Sequence, residues 1–216
     1  MNKNQIIEDI KQNYPNPKCE LNFKNNYELV CAVILSAQCT DRRVNQVTPT
    51  LFKKYPTVYD LAKASQKDVE KIIYTCGFYS TKSKNLILMA CDVVKRFNGE
   101  IPNNKKDLKS LAGVGEKTAN VVLAEGFKIP AIAVDTHVFR VSNRLGLANS
   151  SNVEGTQRQL EKCISKSDWI QLHYALVLHG RYICKAIKPD CENCKLSKNC
   201  KFYNKNMKNN IKIVKK

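Results

Sequence analysis

The chain has 216 residues, 43% of them hydrophobic, and a formal net charge of +17. This length and apolar content exclude an intrinsically disordered chain and suffice for one large domain or two small ones. The charge points to a polyanionic partner, since lysine and arginine displace counterions from phosphates; a basic surface from a Lys- and Asn-rich genome is the bland alternative.

The start, Met1-Asn-Lys-Asn-Gln-Ile-Ile-Glu8, lacks the apolar core of a secretory signal. The longest apolar stretch, Leu29 to Ala37, is too short to cross a bilayer. A reducing cytoplasmic location is expected, where cysteines do not build a disulfide framework. Apolar residues recur mainly at helical spacing. Ile6, Ile7 and Ile10 predict a short amphipathic helix that stops at Pro15. Tyr27 to Ala37, apolar almost all round, predicts a central buried helix. Ser65-Gln-Lys-Asp68 predicts a capping box ahead of Val69, Ile72 and Ile73. Leu86 to Phe97 carries a long amphipathic pattern closed by Asn98-Gly99. Leu108 and Leu111 end another helix, and Val121, Val122 and Ala124 continue one that Gly126 ends. Val138, Phe139, Val141 and Leu145 share a face closed by Gly146. Leu160, Ile164, Leu172, Leu176 and Val177 supply two more helices. Ile129 to Val134 is the one strand candidate, and Pro130 weakens it. The predicted class is all-α, with no internal repeat and no long flexible linker.

Leu111-Ala-Gly-Val-Gly-Glu-Lys-Thr-Ala119 is the most informative stretch. Gly113 and Gly115 permit a tight reversal, after which Glu116 starts a helix. Backbone N–H groups at such a helix start suit a phosphate oxygen and ignore base sequence. Lys117 falls in the first turn, where a cation opposes the helix dipole and the neutral, nucleophilic amine is favoured. Simple phosphate contact is the alternative role. Eighteen residues on, Val134-Asp-Thr-His-Val-Phe-Arg140 sets Asp135 as an N-cap, with His137 beside it as a candidate phosphate contact.

Cys184, Cys191, Cys194 and Cys200 follow C-x6-C-x2-C-x5-C. Four soft sulfurs suit either zinc or an iron–sulfur cube. One tight chelating pair with two outliers leans toward the cube, since zinc sites more often show two tight pairs. The other six cysteines (Cys19, Cys31, Cys39, Cys76, Cys91 and Cys163) read as small buried hydrophobes. Lys185, Lys188, Lys195 and Lys198 lie between the ligands, so a rigid loop would present Lys188 and Lys195 to phosphate. The tail from Lys201 to Lys216 has six lysines and no acid, and reads as a mobile segment with nonspecific DNA affinity or as a solvated end. His173 and His179 read as helix-packing residues, and Trp169 as core.

Leu35-Ser-Ala-Gln-Cys-Thr-Asp41, Gly77-Phe-Tyr79, Leu111 to Ala119, Val134 to Arg140 and the four-cysteine loop occur in this order. Together they resemble the bacterial endonuclease III family over nearly the whole chain. The resemblance implies a two-lobed helix-hairpin-helix DNA glycosylase fold: a six-helix barrel over residues 21–130, and a second lobe of residues 1–20 with 131–216 holding a [4Fe–4S] cluster on the four cysteines. It implies that duplex DNA lies across the cleft between the lobes, with the damaged pyrimidine flipped out. Lys117 matches the family's nucleophile and Asp135 its catalytic carboxylate. Gln38 matches the residue that fills the gap left by the flipped base, with Thr40 and Asp41 beside it. Phe78 stands where members often have leucine in the wedge loop, next to Tyr79, and Cys39 replaces a common alanine. The implied activity is excision of oxidised pyrimidines followed by β-elimination at the abasic site, by a monomer in the cytoplasm acting on the nucleoid. Two rivals are weighed. An adenine-mismatch glycosylase would lack the lysine and carry glutamate where Ala32 stands. A non-catalytic iron–sulfur DNA-binding protein would not need Lys117 with Asp135.

Overall fold

The computed structural model describes residues 2–206; Met1 and residues 207–216, most of the lysine tail, lie outside the described residues. Among the described residues every regular element is helical, and Ile129 to Val134 forms no strand. The chain divides into two compact units, Cys19–Ile129 and Met1–Lys18 with Pro130–Lys216.

The first unit contains α2 (Asn26–Ser36), α3 (Asp41–Lys54), α4 (Val58–Ala62), α5 (Gln66–Ile73), α6 (Tyr79–Phe97), α7 (Lys105–Lys109) and α8 (Glu116–Gly126). Helix α2 is its axis. Residues Tyr27 to Leu35 are all buried, because α3, α6 and α8 pack around them. Gly126 lets α8 meet α2: a Cβ there would lie 2.5 Å from Asn26 Oδ1 and 3.0 Å from Leu29 Cδ2. Helices α4 and α5 cover α6, whose Leu86, Met89, Ala90 and Val93 are fully buried. Asn98 and Gly99 end α6 in the left-handed region, and Gly99 N–H returns to Val93 O at 3.0 Å.

The second unit contains α1 (Lys3–Asn13), α9 (Thr136–Leu145), α10 (Val153–Cys163), α11 (Trp169–Tyr182) and a further helical stretch over 201–206. Its core joins Ile6, Ile7 and Ile10 of α1 to Val138, Val141, Leu160, Leu172 and Leu176. Lys3 Nζ donates to Leu147 O at 2.8 Å, and Asn199 Nδ2 to Asp9 Oδ2 at 2.9 Å, so α1 is fastened at both ends. Gly180 lets α11 approach α9: a Cβ would meet His137 Cβ at 2.8 Å. Trp169 is partly buried and packs against this core, and its Nε1 donates to Ile164 O at 3.0 Å.

The structure corrects two local expectations and adds one helix that the sequence pattern did not predict. Ser65 makes no side-chain cap on α5; the capping box lies at Thr57 and Asp60, where each side chain bonds the other's backbone. The charged, proline-containing stretch 41–54 is a full helix, because Val44, Val47 and Leu51 still share a buried face around Pro49. Of the six scattered cysteines, Cys31 and Cys76 are buried and the other four are half-buried.

Candidate functional site

The glycine reversal stands in the first unit. Helix α7 ends at Lys109, Leu111 N–H bonds Leu108 O and Val114 N–H bonds Leu111 O, both at 3.1 Å. Gly113 turns the chain with φ 77°, and a Cβ there would press on Asn85 at 3.1 Å. Gly115 caps α8 from an extended conformation, without any side-chain cap. The first-turn N–H groups of α8 are thus left to an external acceptor or to water. Glu116 is ion-paired to Lys105 and, at 2.9 Å, to Lys109. These lysines hold its carboxyl below the usual range. Lys117 is exposed in the first turn of α8, beside that occupied carboxylate.

Two connections in the same unit carry Gln38 and Phe78. Both residues take left-handed conformations, with φ 52° and 59°, which non-glycine residues adopt only when their surroundings demand it. Gln38 and Tyr79 are exposed, and Phe78 is 65% exposed. Thr40 Oγ1 accepts from Arg43 N–H and starts α3, whose first residue is Asp41. The two connections lean on each other: the Cβ position of Gly77 lies 3.5 Å from Gln38 O. Lys82 pins them. It is buried on α6, and its Nζ donates to Leu35 O at 2.8 Å. Burial holds its ammonium below the ordinary lysine range. The sequence reading missed Lys82, although it continues the buried stripe of Leu86, Met89 and Val93 at helical spacing.

In the other unit Asp135 is half-buried and caps α9, its Oδ1 accepting from Val138 N–H at 2.8 Å. His137 Nδ1 lies 3.2 Å from Arg140 Nη2, so that nitrogen is the acceptor and Nε2 carries the proton. Arg140 also donates from Nε to Cys184 O at 3.0 Å and from Nη2 to Gly180 O at 2.8 Å.

The four cysteines of the C-terminal loop line one small pocket, together with Leu145, His179 and Phe202. Among the described residues no three His, Cys, Asp or Glu side chains converge closely enough to hold a single metal ion. Arg144 braces the loop. It donates to Lys185 O at 2.7 Å, Ala186 O at 3.0 Å and Cys184 Sγ at 3.5 Å, and stacks 4.6 Å from the Phe202 ring centre. His179, expected as plain packing, sits between Tyr14 Oη at 2.9 Å and Cys194 Sγ at 3.6 Å. Burial pushes its imidazole down to about 4, so it is neutral. Lys185, Lys188, Lys195 and Lys198 are all exposed on the outside of the loop. Sequence reasoning gave no bracing role to Arg140 or Arg144; two arginines one helical turn apart were the available signal.

Residues 31–166 match the family model of the HhH-GPD superfamily of base excision DNA repair proteins. The chain is 43% identical to endonuclease III of Rickettsia felis over 201 residues, covering 93% of this chain and 94% of that one. It is 40% identical to endonuclease III of Escherichia coli K12 over 201 residues, covering 93% and 95%. A solved structure of a trapped endonuclease III–DNA covalent intermediate superposes with a TM-score of 0.90 at 41% identity, covering 96% of this chain and 99% of that one.

Proposed function

The chain belongs to the endonuclease III family within the HhH-GPD superfamily, and on that basis we infer how its residues divide the work of a base excision repair DNA glycosylase and abasic-site lyase acting on oxidised pyrimidines. The observation that carries the reading is the α7–α8 reversal. It leaves Lys117 exposed at an uncapped helix start while Lys105 and Lys109 occupy the neighbouring Glu116.

The Lys117 amine attacks C1′ of the damaged nucleotide, and the base departs. The resulting N,O-acetal opens as the C1′–O4′ bond breaks and O4′ takes up a proton, which leaves the protonated Schiff base. Loss of a proton from C2′ then expels the 3′ phosphate, and the strand is nicked by β-elimination. Asp135, as carboxylate, helps to deprotonate Lys117 and stabilises the positive charge that develops at the sugar. Its cap bond uses Oδ1, so Oδ2 serves this role.

Gly113 and Gly115 bring backbone N–H groups to a DNA phosphate without reading sequence. Gln38 fills the space vacated by the flipped base, Phe78 wedges the duplex, and Thr40, Asp41 and Tyr79 line the contact. His137, through Nε2–H, and Lys188 and Lys195 bind phosphate. Residues 21–130 form the barrel domain, and residues 1–20 with 131–216 the cluster domain. The enzyme works as a monomer on nucleoid DNA in the cytoplasm. Among the described residues no helix is long and apolar enough to cross a membrane.

Cys184, Cys191, Cys194 and Cys200 hold a [4Fe–4S] cluster. One zinc would need four sulfurs each ~2.3 Å from one point. Four thiolates around one pocket would suit a cube, which offers one iron to each. When bound, the cluster supplies rigidity to the lysine-bearing loop. Borohydride trapping on thymine-glycol duplexes tests the whole reading: a covalent protein–DNA adduct is expected from the wild type, and incision with no adduct overturns the lysine mechanism.

A further inference from the structure

Cys39 follows Gln38, and Cys76 precedes Gly77 and Phe78. One cysteine therefore stands in each of the two connections that lean together. Their thiols are near enough to interact with each other, and the ammonium of Lys82 faces both. The surroundings hold this pair in register: Gly77 lies against Gln38 O, and Lys82 is anchored to Leu35 O. Cys39 is half-exposed, whereas Cys76 is fully buried. Both are free thiols, and neither belongs to the four-cysteine loop.

We propose that Cys39 and Cys76 form a reversible disulfide under peroxide, a modification site that cross-links the connection carrying Gln38 to the one carrying Phe78. The exposures assign the order of events. The Cys39 thiolate attacks one oxygen of hydrogen peroxide, the O–O bond breaks, and the departing hydroxide takes up the thiol proton as water. Cys39 is left as a sulfenic acid. The Cys76 thiolate then attacks the Cys39 sulfur, forming S–S and breaking S–O. The second hydroxide leaves as water with the proton from Cys76. Two thiols and one peroxide become one disulfide and two waters. Burial pushes the Cys76 thiol up to about 11, and the Lys82 ammonium beside it offsets part of that cost. Cys76 needs no solvent access, because its electrophile arises beside it.

The bond itself depends only on the geometry of the thiol pair. Its effect on repair rests on the DNA roles proposed for Gln38 and Phe78, which enter the duplex from these two connections. Cross-linked, they are held in their unbound arrangement, and incision slows until a reductant opens the bridge.

The test treats the iron-loaded protein with stoichiometric hydrogen peroxide and maps its peptides under non-reducing conditions. A Cys39–Cys76 linked peptide is expected, lighter by two hydrogens, lost on dithiothreitol and absent from Cys39→Ala. Oxidised Cys39 that stops at sulfinic acid, or two thiols left reduced, overturns the site. Incision is measured in parallel. Loss in the wild type that dithiothreitol reverses, with Cys39→Ala resistant, supports the clamp. Equal loss in Cys39→Ala assigns the damage to the cluster and overturns the clamp. A bridge that forms while incision is unchanged keeps the modification site and overturns its effect on the two connections.

Discussion

Asp135 Oδ1 accepts the backbone N–H of Val138 at 2.8 Å, so the carboxylate assigned to catalysis also starts the helix that carries it. The two duties separate by substitution. Asparagine caps a helix about as well as aspartate but carries no charge. Asp135→Asn is therefore expected to melt with the wild type while single-turnover incision falls by ~10²–10⁴-fold, the usual worth of a positioned acid–base group. Asp135→Ala should lose the same rate and about 1 kcal/mol of stability as well. Undiminished turnover in Asp135→Asn would leave Asp135 only its cap.

Lys117→Ala is expected to fold and bind damaged duplex, because the side chain is exposed and the hairpin is held by backbone bonds and glycine geometry. It should give no adduct with borohydride and no base release above background. Quantifying adducts by denaturing gel checks this. Trapping that persists in the variant would assign the nucleophile to another amine.

Much of this was legible in the sequence because the informative signals are local. Helix α2 reads as buried from its unbroken apolar run, and α6 and α9 declare their ends through Asn98-Gly99 and Gly146. The hairpin is written in two glycines and the residues around them. What escaped is what depends on partners distant in the chain. Helix α3 hides behind Pro49 and its charges, since only packing against α2 and α5 shows that its buried face suffices. Thr57 and Ser65 both look like caps, and geometry selects Thr57. Lys82, Arg144 and His179 acquire meaning only from Leu35, Lys185 and Cys194, up to 47 residues away.

Purified protein should be brown and contain about four irons per chain. His179→Ala, which removes the ring between Tyr14 and Cys194, should release iron faster to a chelator without abolishing the helical signal, since α11 keeps its other core contacts. Iron quantitation and the visible absorbance of the thiolate-bound cluster read this directly. Colourless protein with one tightly bound zinc would replace the cluster with a single-ion site.

Gly180→Ala should be costly although its chemistry is conservative. The added methyl would stand 2.8 Å from His137 Cβ and 3.1 Å from Val141 Cγ2. Neither is the far end of a flexible side chain, so α9 and α11 must separate, at a cost of about 1–3 kcal/mol. Because Asp135 leads α9, incision should fall at temperatures where the variant is still folded. A wild-type melt for Gly180→Ala would show that the helices yield freely.

Gly115→Ala inverts that case and isolates the phosphate contact. Nothing lies within 4 Å of a Cβ at this position, and its φ of −89° is open to any residue. Restricting the unfolded chain gains about 0.4–1 kcal/mol. Alanine is a poorer N-cap than glycine, which costs a similar amount, so the melting temperature should barely move. The open space beside Gly115 is where a phosphate would approach the uncapped N–H groups of α8, and a methyl there keeps the oxygen out of hydrogen-bond range. Affinity for duplex should fall equally for damaged and undamaged DNA, because a backbone contact carries no base information. Equilibrium binding in the Lys117→Ala background measures this without turnover. Unchanged affinity with an unchanged melt would mean that the hairpin does not approach the phosphate through Gly115.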